Sequence, residues 1–188
     1  MTALRIKTPL RTALLALMAS GLLLAQETRR SAYNPAPNPV DDTKENSDAV
    51  PDAYALTGHF DRIVVLRFKY KTDLLAGMVK MVKQEHIQNG VILSGMGSLI
   101  GYQIHQTVNR TMPPEDTFEN NPTGAADLDG MTGYIIRGRV HAHIVLATPD
   151  KAMAGHLEPG TLVFTYVIVT IGVMNDTDLN LIDEKTYR

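Results

Sequence analysis

Three histidines carry the chemistry most easily read from this chain. His141 and His143 flank Ala142, and His156 follows thirteen positions after His143. In a strand, side chains alternate with a period of two, so a His-x-His pair puts both imidazoles on one face. Their Cα atoms then lie roughly 6.5–7 Å apart, and both rings can lean toward one ion. A third ring delivered by a turn through Gly155, where glycine permits a backbone conformation that a side chain resists, completes the set. Three imidazoles that leave one position open are the ligands of catalytic zinc. A divalent transition metal is therefore the expected cofactor. Zinc is the default, although iron, nickel or copper accept the same ligands. The competing reading is three structural histidines bonded to backbone carbonyls.

Two further residues are weaker catalytic candidates. Glu158 is either a turn residue before Pro159-Gly160 or a carboxylate that accepts from a ligand's ring N–H or acts as a general base. Arg139 precedes His141 by two and shares its face, where it can orient an anionic substrate or form a surface ion pair. His86 falls on the apolar stripe of a predicted helix, as a packed histidine would. His59 and His105 find no partner by sequence, and their replacement is expected to spare the metal. The run Gly95-Met96-Gly97-Ser98 lacks the Gly-Lys-Ser/Thr ending of a phosphate loop and reads as a bend.

The elements that must position these groups follow from periodicity. Residues 62–70 alternate around Ile63, Val65 and Phe68 as a strand. Thr72 or Asp73 caps a helix expected to run to about Gln88, with Leu74, Leu75, Met78, Val82 and His86 on its buried stripe. Asn89-Gly90 reads as its stop. Residues 91–108 read as a strand interrupted by glycines, and 112–129 as a polar loop. Residues 134–136 and 140–147 read as strands joined through Gly138. Residues 161–173 form a long strand, apolar on both faces. The helix covers one face. A loop, another subunit or the interior of a closed barrel must cover the other.

Composition bounds the rest. The chain of 188 residues holds no cysteine, so its fold relies on a core or on assembly. Residues 1–25 read as a secretory signal, with Arg5, Lys7 and Arg11 before a short apolar run that ends near Ala25. That run is too brief for a stable membrane span, and a periplasmic or secreted mature protein is expected. Residues 26–55, rich in Asn, Pro and charge, read as a disordered tether, leaving one domain over 56–188. The chain has 18 Lys+Arg and 20 Asp+Glu. Loss of the three signal-segment basic residues makes 15 against 20, a net charge of −5. That balance argues against a phosphate-backbone grip.

The segments His141-Ala142-His143-Ile144-Val145-Leu146-Ala147 and Ala154-Gly155-His156-Leu157 together resemble the PPC, or "plants and prokaryotes conserved", domain family. The glycine-containing stretch from Ile87 through Ser98 resembles the family's strand after its helix. The similarity covers residues 58–175. It implies an α+β fold, a curved, mostly antiparallel sheet with one principal amphipathic helix, assembled as a homotrimer. The family's plant members carry an Arg-Gly-Arg-Pro hook for the DNA minor groove, which this chain lacks. The fold is more distantly similar to α-acetolactate decarboxylase and zinc-dependent ester hydrolases, whose His-x-His plus downstream His match His141, His143 and His156. The implied functions are metal-dependent hydrolysis or lyase chemistry on a small molecule. The alternatives are DNA-binding regulation or a non-catalytic trimeric scaffold.

Overall fold

The computed structural model describes residues 28–33, 45 and 47–183. The expected signal at 1–25 lies outside the described residues. Among these, eight strands and one α-helix make an α+β fold. The order is β1 (Thr28–Tyr33), β2 (Arg62–Lys69), α1 (Leu74–Gln84), β3 (Asn89–Thr107), β4 (Glu115–Asn121), β5 (Ala126–Ile136), β6 (Arg139–Ala147), β7 (Ala152–Leu157) and β8 (Leu162–Val173), with a final 3-10 turn Leu179–Asp183. Every strand pairing is antiparallel.

The long strand β3 organises the sheet. Its first half lies between β5 and β8, and its second half between β4 and β7. The path β3–β5–β6–β7 leaves one edge of β3 and returns to the other, so the sheet closes on itself. The closing seam is short. Ile104 faces Leu157 and His105 faces His156, reinforced by the Gln106 side-chain amide donating to the Ala154 carbonyl. Register shifts at Ile92/Ser94, Gly97/Leu99 and Leu99/Gly101 bend β3 enough to serve both halves.

Alternation fills the interior. Val64, Leu66 and Phe68 of β2, Ala142, Ile144 and Leu146 of β6, and Val163, Val167, Val169 and Ile171 of β8 are buried in one cluster with Leu74, Met78 and Val82 of α1. Each fully buried aliphatic side chain contributes about 1.5–3 kcal/mol. The β5–β6 hairpin turns on Arg137 (φ 50°) and Gly138 (φ 73°), two positive values in a row that match strand twist.

Several expectations are corrected. The helix ends at Gln84, not near Gln88, because His86 takes φ 53° and breaks the ladder. His86 is thus exposed, Ile87 takes the buried position, and Asn89-Gly90 opens β3. The expected polar loop at 112–129 contains β4 and the start of β5. Its acidic residues hid the strand: Asp116 and Glu119 are buried, satisfied by the Thr107 hydroxyl (3.0 Å) and Lys151 (3.5 Å). Thr28–Tyr33, inside the expected tether, pairs with β4, and the Tyr54 hydroxyl donates to the Leu181 carbonyl. Finally, Gly155 is no turn. It lies buried within β7, and a Cβ there would meet the His105 carbonyl oxygen at 2.6 Å. Glycine is required by close backbone approach.

Candidate metal centre

Three adjacent strands bring the histidines together. On β6, His141 and His143 project from the face opposite buried Ala142 and Ile144. On β7, His156 stands between buried Gly155 and Leu157 and is the register partner of His143. On the other side of β7, His156 is also the register partner of His105 on β3. His143, His156 and His105 therefore form a row across β6, β7 and β3, with His141 one step along β6.

The rings are close. The Nε2 atoms of His141 and His143 are 3.3 Å apart. That is about the separation of two nitrogens held at 2.0–2.1 Å on one tetrahedral ion. The His156 ring centre lies 5.0 Å from that of His141 and 5.5 Å from that of His143, edge-on to both. It stacks on His105 at 4.5 Å.

Glu158 binds the other side. Its Oε1 accepts from His105 Nδ1 at 2.6 Å and from His156 Nδ1 at 3.1 Å. Its own backbone N–H donates to the Gln103 carbonyl, which fixes it beside β3. The loop that carries it is pinned further on: Asp73 caps α1 through Ala76 N and accepts from Gly160 N. Buried Thr161 exchanges hydrogen bonds with the Gln103 backbone.

Electrostatics follow the packing. Burial opposes ionisation of Glu158, but hydrogen bonds from His105 and His156 outweigh it and hold the carboxyl down at about 2. The Glu158 hydrogen bond raises His105 above the usual imidazole range against the opposing effect of burial, helped by the Asp116 charge. Burial, then repulsion from His156 and His105, lowers His143. A lowered imidazole stays neutral, as a metal ligand must.

The structure thus brings His141, His143, His156 and Glu158 into one cluster. Arg139 is exposed at the start of β6, and no ion pair of its side chain occurs among the described residues. Sequence reasoning missed His105. The signal is absent locally, because His105 reaches His156 only through the bend of β3. His105, His156 and Glu158 themselves form a compact group of possible ligands. His59 also has partners, Asp61 at 3.4 Å and Asp176 at 3.0 Å, away from this cluster and largely exposed. Beside the cluster, a cavity of about 560 Å³ is lined by Val91, Leu93, Thr132, Tyr134, His141 and His143 among others.

Comparison with known proteins places the fold. A hypothetical protein from Salmonella aligns at 19% identity with a TM-score of 0.55, covering 64% of this chain and 83% of that one. A metal-containing protein from Archaeoglobus fulgidus aligns at 15% identity and TM-score 0.51, covering 64% and 86%. A candidate DNA-binding protein from Bacteroides thetaiotaomicron aligns at 18% and 0.51, covering 66% and 85%. No curated protein matches. The Plants and Prokaryotes Conserved domain pattern matches residues 55–175, which spans every strand of the cluster, and the chain belongs to that family.

Proposed function

We propose that this protein binds a divalent transition metal, zinc by its donor set, through His141, His143 and His156. The observation that carries the reading is the approach of the His156 ring, edge-on at 5.0 and 5.5 Å between ring centres, to the His141–His143 pair. Two Nε2 atoms stand 3.3 Å apart on β6, and the Nδ1 of the third ring is occupied by Glu158. Ligating histidines typically donate their second ring N–H to a carboxylate, which fixes the tautomer and leaves the other nitrogen for the ion. The metal-containing relative from Archaeoglobus fulgidus accords with this reading.

A bound metal would supply Lewis-acid polarisation of a substrate or water oxygen. This chain's own residues would do the rest. Val91, Leu93 and Tyr134 give the adjoining cavity apolar walls for a small organic substrate, and Thr132 adds a hydroxyl beside His143. Glu158 stays ionised and holds His156 in place. Hydrolysis or lyase chemistry on such a molecule fits this arrangement.

Assembly and location belong to the same proposal. Ile63, Val65, Met96, Phe164 and Tyr166 are exposed on the sheet, with Val65 at 65% and Ile63 at 53%. Exposed apolar side chains on one sheet, interrupted by Arg67 over the Tyr166 ring, suit burial between copies, and a homotrimer is the assembly proposed. Export with removal of residues 1–25 is proposed from the basic and apolar pattern of that segment. The resulting net charge of −5 disfavours nucleic acid as the partner.

The test is elemental analysis of purified protein after reconstitution with zinc at neutral pH, followed by a substrate screen with and without chelator. About one ion per chain is expected. Protein that takes up no stoichiometric transition metal would refute the reading.

A further inference from the structure

We infer that His105, outside the proposed ligand set, is a positioning residue: it locks Glu158 so that Glu158 in turn holds His156 with Nε2 free for an ion. This rests on the metal reading above.

The geometry ranks the two bonds to Glu158. A single carboxylate oxygen, Oε1, accepts from both rings, and the His105 contact is the shorter, 2.6 Å against 3.1 Å. Glu158 lies just beyond the end of β7, where only its backbone N–H is tied to β3. Its side chain has three rotatable bonds, and among the described contacts nothing but the two histidines restrains it. His156 alone would have to hold the carboxylate that is meant to hold His156.

His105 breaks that circularity because its ring is held by contacts independent of Glu158. Its ring is packed between His156 at 4.5 Å and Phe118 at 5.2 Å. Its Nε2 faces Asp116 Oδ2 at 3.7 Å. Asp116 is buried and fixed by the Thr107 hydroxyl. The chain of support thus runs Thr107, Asp116, His105, Glu158, His156, from the buried edge of β4 to the candidate ion position. Nδ1 of His105 is committed to Glu158 and its Nε2 lies within ion-pair range of Asp116, so it stands behind the ligands as support. Outer supports of this kind alter metal affinity by about 10–100-fold.

The experiment uses the full mature chain, its His105→Ala variant and its His105→Asn variant, whose amide N–H can still reach Glu158. Cobalt(II) is the probe, read by its visible absorption and by titration. In parallel, nitrogen NMR of the metal-free proteins reads the His156 tautomer. His105→Ala should weaken cobalt binding about 10–100-fold, change the absorption bands, and turn His156 from an Nδ1–H form into a mixture. His105→Asn should restore most of each. Unchanged affinity, spectrum and tautomer in His105→Ala would overturn the inference. So would two cobalt ions per wild-type chain falling to one in His105→Ala, since His105 would then be a ligand. Wild-type protein that binds no cobalt would sink the metal reading by itself. The tautomer measurement would still decide whether His105 orders His156.

Discussion

His143 stands directly opposite His156 across the β6–β7 ladder. This register decides which ring meets which, and a slip of one residue would send His156 to the core side of β7. Gly155, opposite Ile144, guards it, because only a residue without Cβ lets β7 approach the His105 carbonyl. Gly155→Ala should therefore destabilise the fold by about 1–3 kcal/mol, the usual cost of overpacking. Thermal unfolding checks this, and metal affinity should fall with it.

The proposed ligands make a sharper contrast. His141→Ala, His143→Ala and His156→Ala should each remove most of the bound zinc. His59→Ala, in its exposed cluster with Asp61 and Asp176, should keep it. Zinc per chain after dialysis distinguishes the two groups.

The Glu158–His105 pair gives metal-free protein a definite pH signature. Glu158 is lowered from 4.5 to about 2, so its stabilisation is present above 4.5 and lost as pH falls toward 2. His105 is raised above 6.5, so its stabilisation is present below 6.5 and lost as pH rises through the folded value. The stability difference between wild type and Glu158→Gln should therefore be greatest between about pH 4.5 and 6.5. Denaturant titrations across pH 2–9 measure it. His143 acts oppositely to His105: lowered in the fold, it costs stability as pH falls below 6.5.

How much of this was legible in the residues depends on distance along the chain. The His141/His143 pair, the Asp73 cap and the β8 pattern are local, and periodicity displays them. The strand at 115–121 was hidden because Asp116 and Glu119 look solvated until Thr107 and Lys151 are placed beside them. His105 was hidden more deeply. It lies 51 positions before His156 in the chain, and only the bent β3, pairing with β7 as well as β5, makes them neighbours. The Gly155 turn was misread because glycine signals both a free backbone angle and a close approach, and sequence alone does not separate them.

Asp73 joins helix and site. One carboxylate oxygen caps α1 and the other accepts from Gly160 N in the Glu158 loop. Asp73→Ala should cost about 1–2 kcal/mol from the cap alone. A measured loss in thermal stability accompanied by weaker zinc binding would show that both contacts count. Asp73→Ser should recover the cap and leave the loop contact impaired.

The apolar sheet face predicts assembly. Val65→Asp and Phe164→Asp change exposed side chains, at 65% and 45%, and should leave the monomer fold intact. Sedimentation should report about three chains per wild-type particle and fewer in the variants. A monomeric wild type at micromolar concentration would count against the trimer.

The β3–β7 seam joins only two residue pairs, so it is where the closed sheet has least backbone bonding to hold it shut. The histidine row crosses that seam, with ligands on β6 and β7 and their support on β3. An ion on those ligands would tie β7 to β6 directly and brace the seam through the Glu158 bridge between His156 and His105. Amide protons of Ile104, His105 and Leu157 should then exchange with solvent far more slowly in loaded than in metal-free protein, while those of the distant β2–β8 ladder should change little.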